Sequence, residues 1–275
     1  MKTSNLFFLL FAAVVIGGIF LLGPARSAQH DSGMGYEDTP MLPGGKWHVH
    51  DAKRPQPVKV TAGTFSTQER AGRPPSDAEV LFDGKDLARW RNAGGGPAAW
   101  TVRDGYLEVA PKSGDIYTRQ EFGDIQLHVE WRTPAPLKPG NVWQGNSGVF
   151  LFGLYELQVF ESSRNLIYAD GQAGAIYGQY PPLVNPSREP GEWQVYDVIF
   201  NPAHFKDGKV ERPAYITVFH NGVVIHNHTA IMGDTGHRIF PRYTDHGAKG
   251  PIRLQDHGDL VRYRNIWVRP VGEQD

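Results

Sequence analysis

Three separated stretches of the 275-residue chain carry side chains able to move protons or grip hydroxyl groups. The first holds Gln126, His128, Glu130 and Arg132; the second, Glu156 and Gln158; the third, Arg253, Gln255 and His257. Alternate residues of an extended strand share a face, so each set stands together on one side. Amides, carboxylates, imidazoles and guanidinium groups hydrogen-bond in defined directions, unlike the Lys, Ser and Thr that furnish an ordinary wet sheet face. If the three faces line one concave groove, two carboxylates there can divide acid and base roles once their surroundings separate their pKa values. Glu130 and Glu156 are the pair that alternation places best. Beside Trp and Tyr rings, such a groove suits a hydroxyl-rich ligand, and carbohydrate is the class indicated.

The elements that must position these groups are short strands. Ile125-Gln126-Leu127-His128-Val129-Glu130-Trp131-Arg132 alternates strictly over its whole length, with Ile, Leu, Val and Trp set for a core. Asn146-Ser147-Gly148-Val149-Phe150-Leu151-Phe152 leads through Gly153 into Tyr155-Glu156-Leu157-Gln158-Val159, a hairpin. Asp104-Gly105 and Asn221-Gly222 mark two more tight turns. Strands are also expected at residues 80–82, 193–200, 215–219 and 223–226, with loops at 173–178, 180–190 and 233–249. No sustained helical period, internal repeat or nucleotide-binding glycine motif interrupts this pattern. The fold expected is all-β, an antiparallel jelly-roll β-sandwich of the concanavalin-like kind with an extended N-terminal arm.

Composition removes several function classes. Lys+Arg 28 against Asp+Glu 29 gives a formal charge of -1, which favours neither nucleic acid nor an anionic membrane surface as partner. With no cysteine, disulfides, thiolate metal sites and cysteine nucleophiles are excluded. Asn146-Ser147-Gly148 lacks the turn pattern of a serine nucleophile. His226 and His228 on one strand face, or Asp256-His257 with a distant carboxylate, leave a divalent metal open without naming one, and no organic cofactor is expected.

The chain divides on composition into residues 1–28, 29–76, 77–270 and a tail at 271–275. The first is an apolar run at 6–22 after Met1-Lys2, read as an export signal, with a retained membrane anchor as the alternative. Either makes the protein exported, periplasmic or extracellular, and the anchor would tether it to a membrane. Residues 29–76 are rich in Pro, Gly and charge and read as a linker, except that Trp47 and Val49 alternate between His48 and His50 as in an arm that docks. Nothing in the sequence sets the oligomeric state.

Val80-Leu81-Phe82-Asp83-Gly84, His128-Val129-Glu130-Trp131, Asn146-Ser147-Gly148-Val149-Phe150, Tyr155-Glu156-Leu157-Gln158 and Gly174-Ala175-Ile176-Tyr177 form a recognisable series. With Gly250-Pro251-Ile252-Arg253-Leu254-Gln255-Asp256-His257-Gly258 and Tyr263-Arg264-Asn265-Ile266-Trp267, the chain over 78–270 resembles the 3-keto-disaccharide hydrolase family. The resemblance implies a concanavalin-like jelly roll, secretion, and cleavage of glycosidic bonds in sugars oxidised at carbon 3. For that chemistry Glu130 or Glu156 is the expected base and His257 its acid or base partner. Arg264 and Gln255 are expected to donate to oxygen, and Asn146 and Gln158 to position the sugar, with Tyr177, Asp256 and His128 as further binding residues. Two other readings remain: a non-catalytic carbohydrate-binding module on the same sandwich, and a conventional β-glucanase. The second is suggested by Glu156-Leu157-Gln158-Val159-Phe160-Glu161, which approaches a laminarinase-like strand but carries Gln158 where that strand has its middle acid.

Overall fold

The computed structural model describes residues 35–272. The apolar run at 6–22 lies outside them, and among the described residues no helix is long and apolar enough to cross a membrane. Residues 35–58 form a small unit of their own. Within it, Tyr36 bridges to Asp51 and Met41 to His48, and the His48 ring bonds through Nδ1 to the Thr39 carbonyl at 2.5 Å.

From Lys59 onward the chain is a second unit built of antiparallel strands. In chain order these are β1 (Glu79–Phe82), β2 (Trp90–Asn92), β3 (Thr101–Arg103), β4 (Tyr106–Glu108), β5 (Ile116–Thr118), β6 (Ile125–Arg132), β7 (Ser147–Leu151) and β8 (Tyr155–Val159). After a single 3-10 turn at Ala169–Gly171 follow β9 (Gln194–Asn201), β10 (His204–Lys206), β11 (Lys209–Arg212), β12 (Tyr215–His220), β13 (Val223–Ala230), β14 (Arg253–Leu254) and β15 (Arg262–Pro270). An eight-stranded sheet runs β13-β12-β9-β6-β15-β4-β3 with β1 on β15; a five-stranded sheet runs β2-β5-β14-β7-β8; β10 and β11 pair by themselves.

The two larger sheets close on one core, to which β6 gives Ile125, Leu127, Val129 and Trp131 and the facing β8 gives Tyr155, Leu157 and Val159. Alternation then forces Glu130 and Glu156 outward, each from its own sheet. The architecture is the expected antiparallel β-sandwich. Two bulges alter what periodicity alone implies. Asn265 adopts φ 49° where β15 slips its register against β6, so Arg264 faces out although Ile266, two residues on, is in the core. His228, at φ 47°, breaks β13 in the same way.

Two tyrosines cross the core and tie the sheets together. The Tyr196 hydroxyl on β9 donates to the Gln158 carbonyl of β8 at 2.7 Å. The Tyr263 hydroxyl on β15 donates to Ser147 Oγ of β7 at 2.6 Å, and Ser147 Oγ donates to the Gln255 carbonyl at 2.6 Å. Tyr196 thus holds the backbone of β8 at Gln158, and Tyr263, through Ser147, that of Gln255 just past β14. Removing a buried hydroxyl forfeits its bond and leaves an under-partnered carbonyl, at about 1–2 kcal/mol. Tyr196→Phe is expected to lower stability by about that amount in chemical unfolding while keeping the antiparallel far-UV signature.

Candidate functional site

The hollow that takes shape on the outer face of the five-stranded sheet begins with a glycine. Gly148 on β7 pairs with Gln158 on β8, and Phe150 pairs with Glu156. A Cβ on Gly148 would stand 2.5 Å from Glu156 Oε1. Only glycine leaves the carboxyl room to fold down onto the sheet. There Glu156 is 6 % exposed, and its backbone N–H donates to Thr235 Oγ1 at 2.9 Å.

Around it lie Asn146, Gln158, Tyr177, Arg253, Gln255 and His257, closed by Trp143, Tyr168, Thr235 and His237 over a volume of about 470 Å³. Arg253 sits 3.5 Å from the centre of the Phe150 ring and pairs with Asp115 at 3.3 Å. Burial pushes the Glu156 carboxyl up to about 8; Arg253 pulls the other way, and Asp115 adds to the rise. Three buried polar atoms here have no hydrogen-bond partner: Gln158 Oε1, Gln255 Oε1 and Arg253 Nε. Buried polar atoms left unpaired are costly, and all three belong to residues that line this one hollow.

A different cluster occupies the outer face of the eight-stranded sheet. Glu130, 0 % exposed, accepts from Arg264 Nε at 2.7 Å and Asn265 Nδ2 at 2.7 Å, bonds the His128 ring at 3.3 Å, and accepts from Ser66. His128 also bonds Asp197 at 2.7 Å and stacks on Trp267 with ring centres 4.9 Å apart. Arg264 stacks on Trp193 and donates onward to the carbonyls of Thr67 and Gln68. Residues 61–76, which composition reads as linker, thus form a strap bonded to this cluster and, through Thr61 and Ser76, to themselves. Although burial opposes it, the hydrogen bonds from His128, Ser66 and Asn265 and the Arg264 charge hold Glu130 down at about 2. Burial likewise opposes charge on His128, but Asp197 and Glu130 raise it to about 9.

One expectation is thereby overturned. Glu130, His128 and Arg264 do not meet Glu156 and His257: the two groups stand on opposite outer faces of the sandwich, because β6 and β15 belong to one sheet and β7, β8 and β14 to the other. Division of acid and base work between Glu130 and Glu156 across one sugar ring is excluded. Asp256 is corrected too. Its carboxylate accepts from the backbone N–H of Gly114 and of Gly258, both at 3.0 Å, and so shapes the turn beneath His257 instead of lining the hollow. Glu156, His257, Asn146, Gln158, Tyr177 and Gln255 do converge, as expected. Sequence reasoning missed His237, Thr235, Tyr168 and Trp143, which arrive on loops without periodicity; Arg253 was legible on its strand face but received no role.

The histidine pair offered for a metal is divided by the β13 bulge. His226 is buried with Nε2 on the Gly174 carbonyl at 2.7 Å, whereas His228 stacks on Tyr215. Among the described residues no group of three or more His, Asp or Glu side chains is placed to hold a metal ion.

Comparison with known proteins decides the family. The profile of the 3-keto-alpha-glucoside-1,2-lyase-like domain matches residues 77–269. The chain belongs to this family. It is 22 % identical over 274 residues to a 3-keto-disaccharide hydrolase of Bacteroides thetaiotaomicron, covering 82 % of this chain and 92 % of that one. A crystal structure from Parabacteroides distasonis, provisionally named a glycosyl hydrolase, is 43 % identical with a TM-score of 0.76, over 85 % of this chain and all of that one. A second protein of that organism, likewise named, matches at 23 % identity and a TM-score of 0.52 over 71 % of this chain and 94 % of its own, and shows the shared fold. The protein is therefore a glycoside hydrolase-like, carbohydrate-active member of that family.

The strap cluster has a pH signature. Glu130 is held below its ordinary 4.5, so its contribution is full above about pH 4.5 and lost as the pH falls toward 2. His128 is held above its ordinary 6.5, so its contribution is full below 6.5 and lost as the pH rises through 9. Each limb is worth up to about 3 kcal/mol, since every tenfold change in proton affinity between folded and unfolded chain is about 1.4 kcal/mol. Melting temperature measured against pH should fall on both sides, and His128→Gln should flatten the alkaline limb.

Proposed function

We propose that the chain cleaves the glycosidic bond of a sugar already oxidised to the ketone at carbon 3, by elimination and rehydration, in the hollow around Glu156. The observation that carries this reading is that Glu156 is the only carboxyl group among the described residues lining it. An ordinary retaining or inverting glycosidase needs two carboxyls flanking the bond. A 3-keto sugar needs one base, since the ketone acidifies the hydrogen on carbon 2.

In this mechanism the Glu156 carboxylate takes the carbon 2 proton, electrons move onto the carbon 3 oxygen, and the enolate so formed expels the oxygen on carbon 1. Arg253 suits the enolate: it is cationic and lines the hollow. An imidazole at the mouth, His257 or His237, supplies the proton to the departing oxygen. Water then adds across the carbon 1–carbon 2 double bond, its oxygen to carbon 1 and a proton to carbon 2, giving the free 3-keto sugar. Gln158, Gln255 and Asn146 hold the ring hydroxyls. Burial fits Glu156 to this task, because a carboxylate whose conjugate acid ionises near 8 is a stronger base than an exposed one. The names of the matched family and of the Bacteroides relative support the 3-keto substrate. The N-terminal apolar run supports an exported protein acting on external or periplasmic glycosides.

The reading is tested by Glu156→Gln with a 3-keto-glycoside and its unoxidised parent. Wild type is expected to turn over the first alone, while the variant loses about 10²–10⁴-fold. A raised carboxyl pKa also means that Glu156 favours folding below 4.5 and that this contribution is lost as the pH rises through 8. Glu156→Gln should therefore melt higher than wild type at alkaline pH. Reducing sugar released from the parent glycoside at the same rate would instead identify a conventional glycosidase.

A further inference from the structure

A second cavity, of about 420 Å³, adjoins the Glu156 hollow and shares Tyr168, Tyr177, Gly236 and His237 with it. The three shared side chains form a continuous hydrogen-bonded wall. Tyr168 and Tyr177 meet hydroxyl to hydroxyl at 2.8 Å, and the Tyr177 hydroxyl bonds His237 Nδ1 at 2.9 Å, with the Tyr177 and His237 rings stacked at 24°. That bond fixes the imidazole and leaves Nε2 for another partner. Beyond the wall the cavity is lined by Asp170, Arg238 and Ile239. Arg238 is exposed and, among the described residues, engages no hydrogen bond or ion pair.

We propose that this cavity holds the leaving group, a second sugar ring, so that the scissile carbon 1–oxygen bond crosses the Tyr168–Tyr177–His237 wall. The inference rests on the elimination chemistry above and locates its two halves. The oxidised ring must lie against Glu156, whose carboxylate takes the carbon 2 proton, and the group on carbon 1 must point to an adjoining space. The adjoining cavity pairs tyrosine rings with one acid and one guanidinium, and this combination stacks on a pyranose while accepting from and donating to its hydroxyls. A purely aromatic aglycone would call for closed apolar walls, which an exposed Arg238 does not offer. His237, at the boundary, then becomes the donor to the departing oxygen: as the carbon 1–oxygen bond breaks, its Nε2 proton passes to that oxygen and the freed sugar leaves as an alcohol. His257, which lines the Glu156 hollow but not the second cavity, is not required for that transfer.

The test separates binding from turnover. In the Glu156→Gln background, calorimetry with methyl 3-keto-glucoside and with a 3-keto-disaccharide should show the longer ligand bound about tenfold more tightly, and adding Arg238→Ala should erase that gain. An equal affinity for the two ligands, or a gain untouched by both Arg238→Ala and Tyr168→Ala, overturns the assignment. In the otherwise native protein, His237→Gln should slow release of the disaccharide's sugar at least about tenfold more than release of nitrophenolate from a nitrophenyl 3-keto-glucoside, because nitrophenolate departs without a proton. Equal slowing of both overturns the donor role. Failure of wild type to process any 3-keto-glycoside, with the length-dependent gain in affinity intact, would sink the reaction and leave the second sugar site standing.

Discussion

Everything distinctive about this site follows from one carboxyl group pressed onto a sheet. Glu156 is buried where a glycine, Gly148, gives it room, and burial drives its pKa to about 8 while Arg253 opposes the rise. The arrangement costs stability, since the carboxylate form is held where it is poorly solvated. The sandwich offsets that cost elsewhere: Tyr196 reaches across the core to the Gln158 carbonyl of β8, and Tyr263, through Ser147, to that of Gln255. A site whose polar atoms are pre-set and unpaired is ready to exchange desolvation already incurred for bonds to a substrate.

The two outer faces of the sandwich show opposite solutions to the burial of charge. On the eight-stranded sheet, Glu130 is ringed by His128, Arg264, Asn265 and Ser66, so both its oxygens are satisfied and its pKa falls. On the five-stranded sheet, Glu156 lacks such a ring and its pKa climbs. The same side chain is a fastener for the strap at 61–76 in one place and a poised base in the other. Partners, not residue type, make the difference.

Much of the fold was legible because β6, β8 and β9 alternate cleanly, so that core and outer positions could be assigned residue by residue. What escaped was brief or irregular. β2, β5 and β14 run for only two or three residues, too few for a period, and the register slips at Asn265 and His228 reverse faces without any change in residue pattern. Half of the site was readable for the same reason: Glu156, Gln158, Gln255 and His257 sit on or beside strands. Which sheet a strand joins is a long-range fact, however, and equal alternation on β6 and β8 made Glu130 and Glu156 look like neighbours. The loop at 233–249, which brings Thr235 and His237, carries no local signal of where it packs. The composition of 61–76 likewise concealed a strap, since its bonds run through backbone carbonyls, one serine hydroxyl and the Gln68 amide.

The most direct measurement is the titration of the Glu156 carboxyl carbon itself, followed by NMR in protein labelled at glutamate and assigned by comparison with the Glu156→Gln variant. A midpoint near 8 is expected, moving downward when a 3-keto sugar brings hydrogen-bond donors into the hollow. A midpoint near the ordinary 4.5 would contradict it, for the group would then be a solvated carboxylate with no special claim to chemistry.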